Sequence, residues 1–411
     1  MRIFIIPGTF DGSNLGDTAM AEIAIERLKV LWPQARFSVM TRVPAFSKKL
    51  CPVAKAISFN GCKFWTQRQS GSWKRWFPPR SLRARNFASA LLESDLVVLA
   101  GSGILTDAFE ATSLRILATL RAAVDQGIPT AILGQGIGPI TRPRLLAAAM
   151  GVFPLIDSVL VREAGASLSL VREWKVPDER ISVTGDDAVE LSWRKRTVTP
   201  GNGIGLNLRV AKYGGAETQT LVTVRDVLQR EAAKRDSTLI GIPIANGLRD
   251  SDLRTLRFLL PEGADSDCVP WTTENVIGRV SRCRIVVTGS YHAGVFALAQ
   301  GIPVVAVVQS EYYARKFHGL AGQFAGGCTV IAADGAQFAD QLSRAVDQAW
   351  NAGAELKPRL LAAAEQQIAI GHRAYLQMAE ICSDRLRKIR PLSKHRYSSA
   401  QPFPGFGTVQ L

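Results

Sequence analysis

Histidine is scarce in this chain, four in 411 residues, and one of the four stands at a structural junction. Residues 288–307 read TGSYHAGVFALAQGIPVVAV. The preceding RIVVT has strand composition, and HAGVFALAQ has helical composition, ended by Gly301 and Pro303. His292 therefore opens a helix at the carboxyl end of a strand, with Ser290 and Tyr291 in the same turn. A helix start is electropositive, so it favours an uncharged imidazole and attracts anions. Such an imidazole can act as a general base or donate a hydrogen bond to a phosphate. The plainer alternative is a partly buried histidine satisfied by backbone, or a helix cap.

Other loops at the ends of apolar runs are rich in Gly and polar residues. After the first run comes PGTFDGSNLGDTAM, in which Gly12 and Gly16 allow tight backbone geometry. Asp17 reads as the N-cap of the next helix, with Asn14 just before it. GSGILTD, with Gly101, Ser102 and Gly103, follows residues 95–100; QGIGP, with Gln135 and Gly136, follows residues 130–134. Such loops present backbone N–H groups and suit an anion. Neither spells the phosphate loop G-x-x-x-x-G-K-[ST], and the dinucleotide fingerprint G-x-G-x-x-G is missing. In GQGIGP, Pro139 follows the last Gly and no acidic residue ends a suitably placed second strand, so NAD or FAD is not expected. Asp186 and Asp187, in TGDDAVEL, read as turn and cap residues.

The elements that must carry these loops alternate along the chain. Strands are expected at 2–6, 37–41, 55–59, 95–100, 130–134, 158–161 and 180–184, with helices at 17–31 and 112–126. After WRKRTVTPGNG the pattern restarts: strands at 204–208, 238–244, 284–288, 303–308 and 328–331, helices at 218–234, 250–260, 273–283, 292–300, 336–350 and 355–388. The strands are near-continuous Val/Ile/Leu runs, as parallel strands covered on both faces require. The expected fold is α/β, two Rossmann-like doubly wound domains with a cleft between them. Residues 1–193 form the first domain, 194–203 the linker, 204–352 the second, 353–390 a helical segment and 391–411 a loose tail. Ligands of such sheets bind at the carboxyl ends of the strands.

Apolar residues make up 47% and charged residues 21%, a globular balance. The formal net charge of +15 favours anionic partners without choosing among phosphate-bearing substrates, acidic glycans, an anionic membrane or nucleic acid. No nucleic-acid recognition motif appears. No apolar run approaches the ~20 residues that span a bilayer. The opening MRIFIIPGTF reads as a strand rather than a signal peptide, so the expectation is a cytoplasmic protein. Six cysteines without a C-x-x-C pair read as reduced packing residues, and no metal site is expected. The segment Lys63–Arg85 mixes Trp65, Trp73, Trp76 and Phe77 with basic residues. It suits a glycan or the inner face of an anionic membrane, or else packs between domains or subunits.

Taken in order, several stretches resemble the polysaccharide pyruvyl transferase family. They are N-x-G-D-x-A at Asn14, Gly16, Asp17 and Ala19, AGSGILTDAF at 100–109, GQGIGP at 134–139, VREAGASLSLV at 161–171 and TGSYHAGVFALAQGIPVV at 288–305. The resemblance spans about residues 1–325. It implies a GT-B-like fold and transfer of the pyruvyl group of phosphoenolpyruvate onto a sugar hydroxyl pair of a polysaccharide or lipid-linked precursor. A cyclic ketal forms and phosphate leaves, with no metal or organic cofactor. It implies an acceptor side on the first domain and a donor side on the second. The family's histidine falls on His292, and its donor-contacting arginines on Arg162 and Arg209.

Two departures stand out. The family commonly has R-x-H where this chain has Ser290, Tyr291 and His292, and Gly-Gly-Gly where it has Gly101, Ser102 and Gly103. Arg315 and Lys316, in SEYYARKFHGL, are candidates to supply the missing charge. Phosphoenolpyruvate carries a phosphate and a carboxylate and needs at least two cationic or N–H-rich anchors. Adding a hydroxyl to its enol carbon needs a base for the hydroxyl and an acid for the methylene. His292 is assigned to one of these roles, with Asp17 or Asp107 as the second group or as an acceptor ligand. A nucleotide-sugar glycosyltransferase and a non-catalytic subunit of a glycan assembly complex remain the alternatives. The acceptor sugar and the oligomeric state are not legible.

Overall fold

The structure, a computed structural model, describes residues 1–59, 82–208, 218–247, 251–261 and 271–389. Residues 63–81 of the basic aromatic segment, Arg209 and the tail at 391–411 lie outside the described residues. The chain divides into two compact units. Unit 1 takes residues 1–12, 20–187 and the chain from 369 onward; unit 2 takes 13–19 and 188–368.

Unit 1 is built on seven parallel strands: β1 (Arg2–Ile6), β2 (Arg36–Thr41), β3 (Lys55–Ser58), β4 (Leu96–Leu99), β5 (Thr130–Gln135), β6 (Ser158–Val161) and β7 (Ile181–Val183). Their order is β3-β2-β1-β4-β5-β6-β7, with the reversal of direction between β1 and β4. Successive residues serve opposite faces. Phe4, Ile6, Val97, Leu99 and Ile132 enter one core, packed under α3 (Leu82–Leu92), α4 (Glu110–Asp125), α5 (Pro143–Val152) and α6 (Ala166–Glu173). Ile3, Ile5, Val98, Ala131 and Leu133 enter the other, under α1 (Leu15–Leu31) and α2 (Pro44–Leu50). Burial on both faces is why these strands read as continuous apolar runs.

Unit 2 opens with α7 (Ala188–Arg194) and carries five parallel strands, β8 (Gly203–Asn207), β9 (Leu239–Gly241), β10 (Cys283–Thr288), β11 (Val304–Val308) and β12 (Cys328–Ala332). Their order is β12-β11-β10-β8-β9. The helices are α8 (Thr218–Lys234), α9 (Leu253–Leu259), α10 (Thr273–Val280), α11 (Tyr291–Ala299), α12 (Glu311–Gln323) and α13 (Phe338–Ile389).

Several elements differ from the sequence expectation. Helices α2, α3, α5, α6, α7 and α12 were not anticipated; most are short, and α2 and α5 are announced only by Pro44 and Pro143 in the first turn. Strand β9 ends at Gly241 because the N–H groups of Ile244 and Ala245 donate to Asp252 instead of to a ladder. The expected helices at 336–350 and 355–388 are one helix of 52 residues that passes through Gly353 and Pro358. Past residue 368 this helix belongs to unit 1, where Tyr375, Met378 and Cys382 enter the core under β1.

Asp186 and Asp187 lie in the turn that leads directly into α7, as expected, and they do more than end a turn: both are buried and hold arginines. Asp187 accepts from Arg27 at 2.7 Å and from the Tyr375 hydroxyl at 2.7 Å. Arg162 lies 3.4 Å from Asp186. Burial and the neighbouring Asp187 charge push the Tyr375 phenol well above its ordinary value, so it remains a donor. Removing one partner of a buried pair strands the other charge. Arg27→Ala is therefore expected to cost about 3–5 kcal/mol of unfolding free energy, and Tyr375→Phe about 1.5–3 kcal/mol. Urea unfolding of the two variants checks both values.

Candidate active site

In unit 2 the chain runs from β8 to β9 on one side and then to β10 on the other. The carboxyl ends of β8 and β10 are thus the topological switch point, where doubly wound sheets bind ligands. Thr288 pairs with Asn207 across these two strands. Beyond them a tight turn leads into α11. Ser290 N–H donates to the Thr288 hydroxyl at 2.9 Å, and that hydroxyl donates back to the Ser290 carbonyl at 3.2 Å. Gly289 N–H donates to the Asn207 carbonyl at 2.8 Å. His292 follows in the first turn of α11, 7% exposed. Its ring meets Tyr291 edge-on at 5.5 Å, and Tyr291 packs on Phe317 of α12.

Residues 13–19 belong to the same unit. Asn14 bridges Ala245 in antiparallel fashion, Leu15 N–H donates to the Ile244 carbonyl at 2.9 Å, and Asn246 N–H to the Ser13 carbonyl at 2.9 Å. This places Gly16 against the histidine. A Cβ on Gly16 would lie 1.9 Å from His292 Cγ and 2.1 Å from Nδ1, so only glycine fits. The sequence motif around Asn14 and the distant histidine thus meet in one place. The N-cap is Asn14, not Asp17 as expected: its Oδ1 accepts from Gly16 N–H at 3.0 Å and Asp17 N–H at 3.2 Å. Asp17 is half-buried in the first turn of α1, next to Gly16.

Two residues that sequence reasoning passed over hold this arrangement. The Asp252 carboxylate accepts at 2.8 Å each from Ile244 N–H, Ala245 N–H and the Asn207 amide. Asn207 falls inside the strand expected at 204–208, and in the structure it ends β8. Its signal was a polar residue terminating an apolar parallel strand, a position that faces ligands. Asp252 was hidden because an Asp at a helix start reads as a cap.

Unit 1 gathers the other expected residues at the carboxyl edge of its sheet, but turns most of them inward. The loops after β4 and β5 pair with each other: Gly136 N–H donates to the Ser102 carbonyl and Gly138 N–H to the Leu105 carbonyl, each at 2.8 Å. These N–H groups, expected to face an anion, are consumed by that pairing. The Ser102 hydroxyl donates to Gln135 Oε1 at 3.1 Å, and the Gln135 amide donates to the Ala100 carbonyl. Both side chains are fully buried. Arg162, 2% exposed, lies under Gly136, where a Cβ would come within 2.2 Å of Nη2. Gly101 is fitted against Met20, and Gly103 is half-buried. Asp107 accepts from the Thr141 N–H and hydroxyl and from Arg142 N–H, clamping the start of α5.

On α12 the Arg315 guanidinium is exposed and paired with Glu311, while the Lys316 ammonium bonds the Tyr312 hydroxyl and sits 4.1 Å over its ring. Cys51, Cys283, Cys328 and Cys382 are free and buried, and burial pushes Cys283 and Cys328 up to about 12. Cys62 and Cys268 lie outside the described residues. Among the described residues no group of three or more His, Cys, Asp or Glu could hold a metal ion. No described helix is long and apolar enough to cross a membrane.

Two outcomes follow from this geometry. Gly16→Ala forces a methyl into the imidazole and is expected to cost about 1–3 kcal/mol. Gly278→Ala, in an α10 position with nothing within 4 Å, is expected to stabilise by up to about 1 kcal/mol; calorimetric melting of both variants compares them. For Asp107, partial burial raises the carboxyl, but the bonds from Thr141 and Arg142 outweigh it and hold it below its ordinary value. Its contribution is present above about pH 4 and lost as pH falls further, through the folded value. The stability gap between wild type and Asp107→Ala, read from urea midpoints, is expected to shrink in that acid window.

Comparison with solved structures finds the same architecture. A UDP-GlcNAc 2-epimerase from Neisseria meningitidis bound to UDP-GlcNAc gives a TM-score of 0.59 at 13% identity, covering 94% of this chain and 100% of that one. An epimerase described as putative, from Listeria monocytogenes, gives 0.58 at 13% identity over 90% and 95%. The glycotransferase of kitacinnamycin gives 0.53 at 12% identity over 93% and 98%. At such identities the likeness is one of fold: α/β, two Rossmann-like doubly wound units, GT-B-like. No curated protein matches the sequence. The family model of polysaccharide pyruvyl transferases matches residues 14–311, from the Asn14 cap past the His292 helix, and the chain belongs to that family.

Proposed function

We propose that the protein transfers the pyruvyl group of phosphoenolpyruvate onto a pair of hydroxyls in a polysaccharide or its lipid-linked precursor. The first hydroxyl oxygen bonds to the enol carbon, its proton goes to a base, and the methylene takes a proton to become a methyl. The second hydroxyl oxygen then bonds to the same carbon as the bond to phosphate breaks, its proton leaving with the phosphate, and the ketal closes. The observation that carries this reading is the packing of His292 on Gly16, which unites the family's two most distant motifs at the switch point of unit 2. His292 belongs to the first turn of α11 and lies on the first turn of α1. Both helix starts favour an uncharged ring, so His292 serves as the base for the attacking hydroxyl.

Ser290 replaces an arginine common in the family, so the donor's anionic groups need other partners. Arg209, Arg315 and Lys316 are the candidates, whereas Arg162 is buried under Gly136 and paired with Asp186. A lipid-linked acceptor would bring the protein to the inner face of an anionic membrane.

A nucleotide-sugar reading competes, because the similar epimerase from Neisseria meningitidis holds UDP-GlcNAc. Thermal-shift titration with phosphoenolpyruvate and with UDP, run beside an assay of phosphate release with glycan acceptors, separates the two. The expected result is stabilisation by phosphoenolpyruvate and acceptor-dependent phosphate release that falls roughly 10²–10⁴-fold in His292→Ala. Stabilisation by UDP alone, with no phosphate release, would replace this proposal with a nucleotide-sugar activity.

A further inference from the structure

The two arms that meet at His292 and Gly16 also meet at a second place. One arm runs from Asp252 through the N–H groups of Ile244 and Ala245, across the bridge to residues 13–15, and into Gly16. The other runs from Asn207, whose carbonyl holds Gly289 N–H at 2.8 Å, through the turn at Ser290 and into His292. A side-chain contact joins the arms behind the histidine, the Asn207 amide to Asp252 Oδ2 at 2.8 Å. The contacts form a closed ring, with the imidazole at one point and the Asn207–Asp252 pair at the opposite one.

The pair is built to be rigid. Asn207 is fully buried and Asp252 is 2% exposed. The Asn207 amide makes a second bond, to the Ile242 carbonyl at 2.6 Å. Asp252 N–H donates to the Ala245 carbonyl at 2.9 Å, so main chain and side chain grip the same loop from both sides. Three donors on one buried carboxylate are charge-assisted bonds, stronger and more directional than neutral ones. By contrast, the pairing of residues 13–15 with this loop is an isolated bridge outside any strand. Its register alone would be weakly specified.

We infer that Asp252 and Asn207 are positioning residues that set the register of the Asn14–Gly16 segment against His292. The functional consequence rests on the proposal that His292 transfers a proton. The bonds described here act on the histidine through the backbone. A misplacement of about 1 Å from outside the chemistry can cost about 10²-fold in rate.

The test uses the full chain and two readouts, one of them independent of activity. The protein has four histidines, so the His292 ring signal in a carbon–proton NMR spectrum is assigned as the one missing from His292→Gln. Asp252→Asn keeps the shape and removes the charge; Asn207→Ala cuts the link and leaves the Asp252 bonds to Ile244 and Ala245. Ser343→Ala is the comparator, since its hydroxyl bonds Glu231 elsewhere in unit 2. Asp252→Asn and Asn207→Ala are expected to move the His292 signal and its titration midpoint. They should also lower kcat roughly 10²-fold with little change in KM for phosphoenolpyruvate. Ser343→Ala should lower the melting temperature alone. A shifted His292 signal in a protein with no pyruvyl transfer would keep the positioning role and overturn the functional reading. An unmoved signal and unchanged kcat in folded variants would overturn the positioning role, as would failure of both variants to fold.

Discussion

A buried carboxylate, Asp187, commits both ends of the chain to one sheet. Its oxygens are taken by Arg27 from the first helix and Tyr375 from the last, 160 and 188 residues away. A charge at 2% exposure is tolerated only when its partners arrive with good geometry. Arg27 is fixed twice more, stacking on the Tyr375 ring at 4.8 Å and lying where a Cβ on Gly371 would come within 2.8 Å. Apolar packing alone tolerates small slips along a helix. A buried ion pair with a bonded phenol does not, so the return of α13 to unit 1 has one register.

The sheets were legible because burial on both faces leaves a simple signature. Runs such as IFII, LVVL, SVLV and IVVT need no alternation, and each became a strand within a residue or two of its expected bounds. What was not legible was the long-range accounting of polar groups. The apolar look of residues 242–245 resembles strand, yet the N–H groups of Ile244 and Ala245 go to Asp252. The Asn-Ala-Gly sequence at 351–353 resembles a helix break, but a glycine in a helix costs only about 1 kcal/mol against the packing of a long amphipathic face. The division of the chain is equally non-local. Ser13–Ala19 and the end of α13 are each assigned across the linear order by contacts that no window of sequence contains.

The candidate site was legible as a set of residue types and not as a geometry. Asn14, Gly16 and His292 could each be singled out, because glycine and asparagine at a helix start and histidine at a strand end have few other reasons to be there. Their meeting depends on one bridge between residues 14 and 245, which leaves no trace in composition. The Gly-rich loops of unit 1 show the converse. Gly101 and Gly136 looked like anion cradles, yet their missing side chains make room for Met20 and Arg162. Glycine marks close approach, and the sequence does not say to what.

That ambiguity bears on Ser290, where the family commonly carries arginine. The position is 5% exposed, and both its N–H and its carbonyl are engaged by Thr288. Those bonds use only the backbone of residue 290, so the turn itself does not depend on which side chain stands there. If phosphoenolpyruvate is the donor, its cationic partner must come from another element. Helix α12 is the best placed within the unit, since its Phe317 packs on Tyr291 and its Lys316 is held against Tyr312, whereas Arg315 pairs with Glu311 in solvent. A lysine is a point charge with three rotatable donors, where arginine is a fixed fork. A donor site built on lysine would hold a phosphate as readily and discriminate carboxylate geometry less. The family's chemistry would then survive the loss of the arginine at the expense of selectivity among small phosphorylated acids.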